Sequence, residues 1–180
     1  MTGRMLVATQ TQVDVSTPVG VLNYALTLEH LEAAFYREGL KRFDEAAFTD
    51  AGYNPAVRKN LGMIRDHEAE HVDTLTQVIG DLKGESVAAG KYDFGYEDVA
   101  GFLAVAQTLE NTGVSAYEGA AQYLIEEDAL LTAALTIHGV EARHAAYLNG
   151  LTGVSPFPAA TDPPLAPDDV LAAASQFIKS

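Results

Sequence analysis

The sequence lacks cysteine and tryptophan and has few basic residues. Without cysteine, the chain cannot form a disulfide or ligate an iron–sulfur cluster through thiolates. Its 25 Asp and Glu residues outnumber its 11 Lys and Arg residues, giving a formal net charge of −14, and the Lys and Arg residues form no cluster. Because binding to a nucleic-acid backbone needs concentrated positive charge, we do not expect nucleic acid as a partner.

Long apolar runs are also missing, so no membrane span is expected. The N-terminal stretch MTGRMLVATQTQVDVSTP has no sustained apolar core of the kind found in signal peptides. We therefore expect either a cytoplasmic protein or the processed form of an exported one. A length of 180 residues with 48% hydrophobic content is typical of one globular domain with a substantial core.

Apolar residues recur with the period of an α-helix in four long segments, which predicts an all-α fold. Thr17-Pro18 and Asn54-Pro55 each combine a capping residue with a proline suited to the first helical position. Asp128 is the expected cap of the fourth helix. The predicted helices cover residues 18–41, 55–80, 97–126 and 128–149.

The connections between these helices predict the topology of a four-helix bundle. The short connection at residues 43–54 makes the first two helices antiparallel neighbours. Residues 81–96 show no helical pattern, and this extended segment can reach roughly 50 Å. A helix of about 24 residues is only about 36 Å long, so the segment can cross the whole bundle.

The chain is thus predicted to have three parts. Residues 1–17 form an extended N-terminal arm, residues 18–150 form the four-helix bundle, and residues 151–180 form a proline-rich tail. Asp168 or Asp169 is expected to cap a short helix in this tail, ending near Ile178. We expect the tail to dock on the bundle or on a second subunit, and the protein to be a homodimer.

Two copies of one short pattern stand out within the predicted helices. Glu68 precedes His71 in EAEH, and Glu141 precedes His144 in EARH. Residues three apart lie on one face of a helix, so carboxylate and imidazole point the same way in each copy. This is the spacing of metal ligands, and Glu68 and His71 lie within an apolar stripe where a surface Glu is not expected.

Two further carboxylates repeat in the same order. Glu29 is followed seven positions later by Tyr36, and Glu110 is followed seven positions later by Tyr117. The order Glu, Glu-x-x-His, Glu, Glu-x-x-His indicates an internal duplication of one helical hairpin, residues 18–80 and 97–150. Each Tyr lies on the face of its Glu and is expected either to hydrogen-bond a ligand or pass electrons, or to be a core aromatic.

The four Glu positions also agree in depth. Each lies about 17–20 Å from the start of its helix, so all four reach the middle of the bundle at a similar level. Four buried carboxylates would be costly without compensation, whereas two divalent cations would cancel their charge and leave two imidazoles as further ligands. We therefore predict a site for two metal ions whose ligands are Glu29, Glu68, His71, Glu110, Glu141 and His144.

Two neighbouring residues leave alternatives open. Glu32 lies one turn after Glu29 and is either an extra ligand or an ordinary helix residue. His67 lies one turn before His71 and either supports a ligand or has a surface or capping role.

The six-ligand order resembles that of the ferritin-like di-iron carboxylate superfamily. Within it, the stretches LNYALTLEHLEAAFYREGL and IRDHEAEHVDTL and the tail PFP…DPPLAPDDVLAAASQFI are similar to the ferritin-like desiccation-related protein group. The resemblance implies a ferritin-like bundle with two iron or two manganese ions. It also implies that Glu68 and Glu141 bridge the metals and that Glu29 and Glu110 are terminal ligands.

Chemistry and resemblance together predict an oxidoreductase that reacts with O2 or H2O2. Ferroxidase, peroxidase-like or manganese-catalase activity in oxidative or desiccation stress defence fits such a centre. One alternative is non-catalytic metal storage, which requires a hollow cage of many subunits. Another is a structural, stress-protective bundle whose metal site is vestigial.

Overall fold

The computed structural model describes residues 14–179, and this part of the chain is helical, as predicted. Most of the predicted N-terminal arm therefore lies outside the described residues. The α-helices are α1 (Pro18–Arg42), α2 (Glu45–Asp50), α3 (Pro55–Asp81), α4 (Val99–Ala121), α5 (Asp128–Leu151) and α6 (Pro167–Ala174). None of these helices is both long enough and apolar enough to span a membrane.

The caps predicted for α1 and α3 are confirmed. The Thr17 side chain accepts a hydrogen bond from the backbone N–H of Gly20, and the Asn54 side chain accepts one from Ala56. In both helices proline follows the cap, where its missing N–H leaves no hydrogen bond unmade.

Three helix starts differ from the prediction. Helix α4 begins later, at Val99, because the Asp98 side chain caps it by accepting from Gly101 N at 2.7 Å. Asp128 is the first residue of α5 rather than its cap. The tail helix α6 begins at Pro167, whose fixed φ suits a first helical position. Asp168 and Asp169 therefore lie in the first turn, where their negative charges interact favourably with the helix dipole. Neither side chain caps the helix.

Two local features were not predicted. The connection after α1 contains the short helix α2, which Asp44 caps by accepting from Ala47 N at 3.0 Å and which Phe48 anchors in the core. At its other end, α4 stops at Ala121 rather than near residue 126. The chain then tightens into a 3-10 turn, and the Gln122 side chain donates to the Gly119 carbonyl.

The four long helices form two hairpins, with α1 packed mainly on α3 and α4 mainly on α5. The segment between α3 and α4 runs along α1. At its beginning, the Asn23 side chain accepts from Val87 N at 2.7 Å, and near its end Arg42 donates to the Tyr96 carbonyl at 2.7 Å. Asn23 and Arg42 lie near opposite ends of α1, so this segment is the long crossover that the sequence predicts.

The C-terminal tail docks on its own chain. Leu165 N donates to the Ser115 carbonyl of α4, and Val170 and Ala174 are buried. A Cβ on Gly119 would come within 1.8 Å of the Leu165 carbonyl oxygen, so only glycine permits this approach. Docking on the bundle, one of the two expected modes, is thus observed, and the homodimer stays a prediction.

Candidate metal centre

All six predicted ligands meet in the middle of the bundle. Helix α1 supplies Glu29, α3 supplies Glu68 and His71, α4 supplies Glu110, and α5 supplies Glu141 and His144. The four Glu residues are 0% exposed, and the two His residues are 7% and 5% exposed. The helices thus hold carboxylates and imidazoles at positions where apolar side chains would otherwise complete the core.

The six residues form two overlapping groups, and in each group one potential ligand atom per residue lies within 4.8 Å of the others. One group is Glu29, Glu68, His71 and Glu141, and the other is Glu68, Glu110, Glu141 and His144. Glu68 and Glu141 belong to both groups, whereas Glu29 and Glu110 each belong to one. This is the arrangement that two bridging and two terminal carboxylates require.

Both imidazoles turn Nδ1 toward the carboxylates. His71 Nδ1 lies 3.2 Å from oxygens of Glu29, Glu68 and Glu141. His144 Nδ1 lies 3.0 Å from Glu68 Oε1 and 3.2 Å from Glu110 Oε2. A single N–H cannot donate well-aligned hydrogen bonds to two or three oxygens at once. The oxygens that converge on each Nδ1 are therefore better suited to a cation held among the ligands.

The shared carboxylates are incompletely satisfied without a cation. Glu68 Oε1 and both carboxylate oxygens of Glu141 are buried and have no hydrogen-bond partner among residues 14–179. Leaving an ionised carboxylate buried without a partner is strongly unfavourable. Mixed carboxylate and imidazole donors suit first-row divalent metals. The residues present therefore fit a pair of such ions.

The pKa values of the carboxyl groups in the metal-free cluster also indicate a site for cations. Burial, followed by the charges of Glu110 and Glu29, raises the pKa of Glu141 to about 8. Burial and the charge of Glu141 raise the pKa of Glu68 to about 7. The cluster therefore retains protons that exposed carboxyl groups would release, and metal ions would displace these protons on binding.

Both histidines also keep a proton more tightly than an exposed imidazole does, because the neighbouring carboxylates stabilise the charged form. Burial lowers the pKa of His71, but its close contacts with the carboxylates of Glu141, Glu29 and Glu68 outweigh burial and raise this pKa to about 12. In the same way, Glu110 and Glu68 raise the pKa of His144 to about 10.

The two tyrosines are buried and cross between the halves. Tyr36 of the first half donates a 2.5 Å hydrogen bond to Glu110 Oε1 of the second. Tyr117 of the second half donates an equally short bond to Glu29 Oε1 of the first. Each Tyr therefore holds the terminal carboxylate of the other half, because its own Glu lies two helical turns away along the axis. A role in electron transfer stays a prediction.

Both residues that the sequence left open reach the centre. His67 Nδ1 lies 3.0 Å from His144 Nε2, and the two rings stack with centroids 5.3 Å apart. His67 therefore contacts a predicted ligand on the ring nitrogen opposite to the cluster. Glu32 is 3% exposed and faces the cluster, although neither four-residue group described above includes it.

Sequence reasoning missed Gly113. A Cβ at this position would lie 3.0 Å from Glu141 Oε2 and 3.3 Å from Glu32 Oε1. Gly113 therefore leaves room for two carboxylates to approach the same point. The repeat could have identified this position, because Gly113 follows Glu110 by three positions just as Glu32 follows Glu29.

Comparisons with known proteins agree with this architecture. The profile of the ferritin-like domain family matches residues 17–154. Protein rds1 of Schizosaccharomyces pombe (strain 972 / ATCC 24843) is 29% identical over 139 residues, or 76% of this chain, and the chain spans 33% of the length of that relative.

A solved structure shares the fold. The crystal structure of ferritin-like, diiron-carboxylate proteins from Bacillus anthracis str. Ames covers 78% of this chain and 99% of its own, with a TM-score of 0.66 and 19% sequence identity. The predicted four-helix fold is thereby confirmed.

Proposed function

Because the chain belongs to the ferritin-like domain family, we propose that its buried cluster binds two iron or two manganese ions and reduces O2 or H2O2. The observation that carries this proposal is the pair of overlapping ligand groups sharing Glu68 and Glu141. The likeness to a structure described as diiron-carboxylate supports the same interpretation. We further propose a role in oxidative or desiccation stress defence, in line with the sequence resemblance.

When bound, a pair of divalent ions supplies two electrons, which together with two protons convert one H2O2 to two water molecules. The protein positions the ligands for this reaction. Tyr36 and Tyr117 fix the terminal carboxylates Glu110 and Glu29 through short hydrogen bonds. The complete burial of the four Glu residues keeps bulk water away from the centre, which strengthens every electrostatic interaction there.

His67 contributes to the same positioning. When His144 Nε2 donates to His67 Nδ1, the Nδ1 atom of His144 keeps its lone pair and faces Glu68 and Glu110. A partner on the outer ring nitrogen is the usual device that fixes the tautomer of a metal-binding histidine.

The test is anaerobic reconstitution with Fe(II) and, separately, Mn(II), followed by metal analysis and single-turnover oxidation. We expect two ions per chain and oxidation of the reduced pair by O2, H2O2 or both. The double variant E68A/E141A should bind neither ion stoichiometrically. The matched control E70A changes an exposed Glu two positions from Glu68 and should behave as the unmodified protein does.

Two results would contradict the proposal. One is the absence of stoichiometric metal in correctly folded protein, and the other is a bound pair that is inert to both oxidants. Iron uptake far beyond two ions per chain, together with a high molecular mass in solution, would instead favour storage in a cage.

A further inference from the structure

A small cavity lies between α1 and α4 beside the metal centre. Leu28 and Glu32 line it from α1, and Thr112 and Gly113 line it from α4. Phe177 and neighbouring residues of the C-terminal tail cover its outer side. The cavity therefore connects the tail, which belongs to none of the four long helices, with the interior of the bundle.

The inner end of the cavity meets the centre at Gly113. The absence of a side chain there lets two carboxylates approach the same point, because a Cβ would lie only 3.3 Å from Glu32 Oε1 and 3.0 Å from Glu141 Oε2. Glu32 is almost completely buried, and its carboxyl group lies close to that of Glu141 beside Gly113. A buried carboxyl group at the end of a cavity can exchange hydrogen bonds with a small polar ligand.

The size and the walls of the cavity restrict what it can hold. The space open to the centre of a water-sized molecule is about 30 Å³. On the same scale, a single water molecule needs about 10–15 Å³. Apart from Glu32, its lining among the described residues is uncharged. A neutral molecule of two heavy atoms fits these limits.

We infer that this cavity admits and holds the oxidant, H2O2 or O2, and that Phe177 excludes larger hydroperoxides. This inference rests on the proposed function of the metal centre. It adds the route to the centre, a size limit on the oxidant, and a role for the C-terminal tail.

The position of Phe177 is fixed by its backbone and by its ring. Its carbonyl accepts a 2.8 Å hydrogen bond from Asp93 N in the crossover. Its ring lies 5.8 Å from that of Phe94, measured between centroids. Replacing Phe177 by alanine therefore enlarges the opening while leaving the backbone attachment of the tail in place.

The first test compares H2O2 with tert-butyl hydroperoxide on the reduced, iron-loaded protein by stopped-flow spectroscopy. Each oxidant takes two electrons from the metal pair and two protons, giving two waters from H2O2 or an alcohol and one water from the hydroperoxide. We expect the unmodified protein to favour H2O2 by at least about tenfold. F177A should reduce this preference, and A173F, which adds a ring at the opening, should slow both oxidants.

The matched control is F157A. It removes the same side chain from the same tail at a position that is 81% exposed and does not line the cavity. Circular dichroism melts of all three variants verify that the fold is retained.

The second test needs neither metal nor turnover. Crystals of metal-free protein pressurised with xenon should show a xenon atom in this cavity, and crystals of A173F should not. An empty cavity in the unmodified crystals would overturn the inference. Unchanged oxidant selectivity in F177A together with unchanged oxidation rates in A173F would also overturn it. If the loaded protein still reduces H2O2 in that case, the proposed function stays intact. If the protein fails to bind metal, the proposed function is contradicted. The xenon experiment then tests on its own whether the cavity admits a small molecule.

Discussion

The two halves of the bundle agree at the centre and differ around it. Four residues of each half correspond in type and in register, and the structure places all eight at or next to the cluster. The corresponding pairs are Glu29 and Glu110, Tyr36 and Tyr117, Glu68 and Glu141, and His71 and His144. The positions that build the cluster are therefore the ones that both halves retain.

Two positions break this correspondence. Glu32 in the first half corresponds to Gly113 in the second, and His67 corresponds to Val140. The first difference leaves space beside Glu141 where a cavity ends, and the second gives His144 a hydrogen-bond partner on its outer nitrogen. A nearly symmetric cluster thus has an asymmetric environment, so its two metal positions should differ in affinity and access.

The strongest effect should separate shared from terminal ligands. E68A and E141A should each disturb both metal positions and leave less than one tightly bound ion per chain. E29A and E110A should each affect one position and leave one ion. Isothermal titration with Mn(II) measures both stoichiometries, and equal losses in all four variants would break the distinction.

A pH series tests the same shared carboxylates in metal-free protein. Glu68 and Glu141 have raised pKa values of about 7 and about 8 when folded, against an ordinary value of 4.5. The folded state therefore keeps protons that the unfolded state releases, so stability is greatest below the ordinary pKa and is lost as pH rises through the folded values. The raised pKa of His144, about 10, acts in the same direction above pH 6.5.

We therefore expect the Tm of the metal-free protein to fall between pH 5 and pH 9. For the two carboxylates alone, the corresponding change in unfolding free energy is on the order of 7 kcal/mol. E68Q/E141Q should flatten this dependence, and bound metal should stabilise the protein more at higher pH because its ligands must be deprotonated. A Tm that rises over this range, or an unchanged slope in the double variant, would contradict this explanation.

Removing His67 should sharpen the difference between the two metal positions. H67A takes away the partner of His144 Nε2, and loss of such an outer partner typically lowers metal affinity by roughly 10–100-fold. The effect should be confined to the position that His144 serves, which a two-step Co(II) titration resolves. V140A changes the corresponding residue of the second half and should leave both affinities unchanged, while H67Q should restore part of the loss.

The weakest effect concerns the crossed tyrosines. Y36F and Y117F each remove one hydrogen bond to a buried carboxylate, which costs about 1.5–3 kcal/mol. Because the two bonds have the same length of 2.5 Å, the two losses should be similar in urea unfolding of metal-free protein. A loss in only one variant would show that the halves differ at this position too.

The sequence predicts the cluster well because helical periodicity and caps determine which residues share a face and a depth. Glu68 and His71 share a face by their spacing alone, and the N-caps at Thr17 and Asn54 set the levels of α1 and α3. The duplication then predicts the same arrangement in the second hairpin. The crossover is long enough to span the bundle, and it determines how the two hairpins pack together.

What the sequence leaves out depends on contacts between elements. Helix α2 forms because Phe48 packs into the core. The local periodicity of the sequence does not predict this contact. The pairing of Tyr36 with Glu110 rather than Glu29 depends on how closely α1 and α4 approach. The roles of Gly113 and His67 likewise become visible only when residues from different helices are placed together.

The proposed chemistry depends on Glu68 and Glu141 holding two metal ions between them. The decisive experiment is elemental analysis of natively purified protein, beside E68A/E141A and E70A prepared in the same way. We predict two iron or manganese ions per chain in the unmodified protein and in E70A, and none in the double variant. Metal content in the unmodified protein no higher than in E68A/E141A would contradict this prediction.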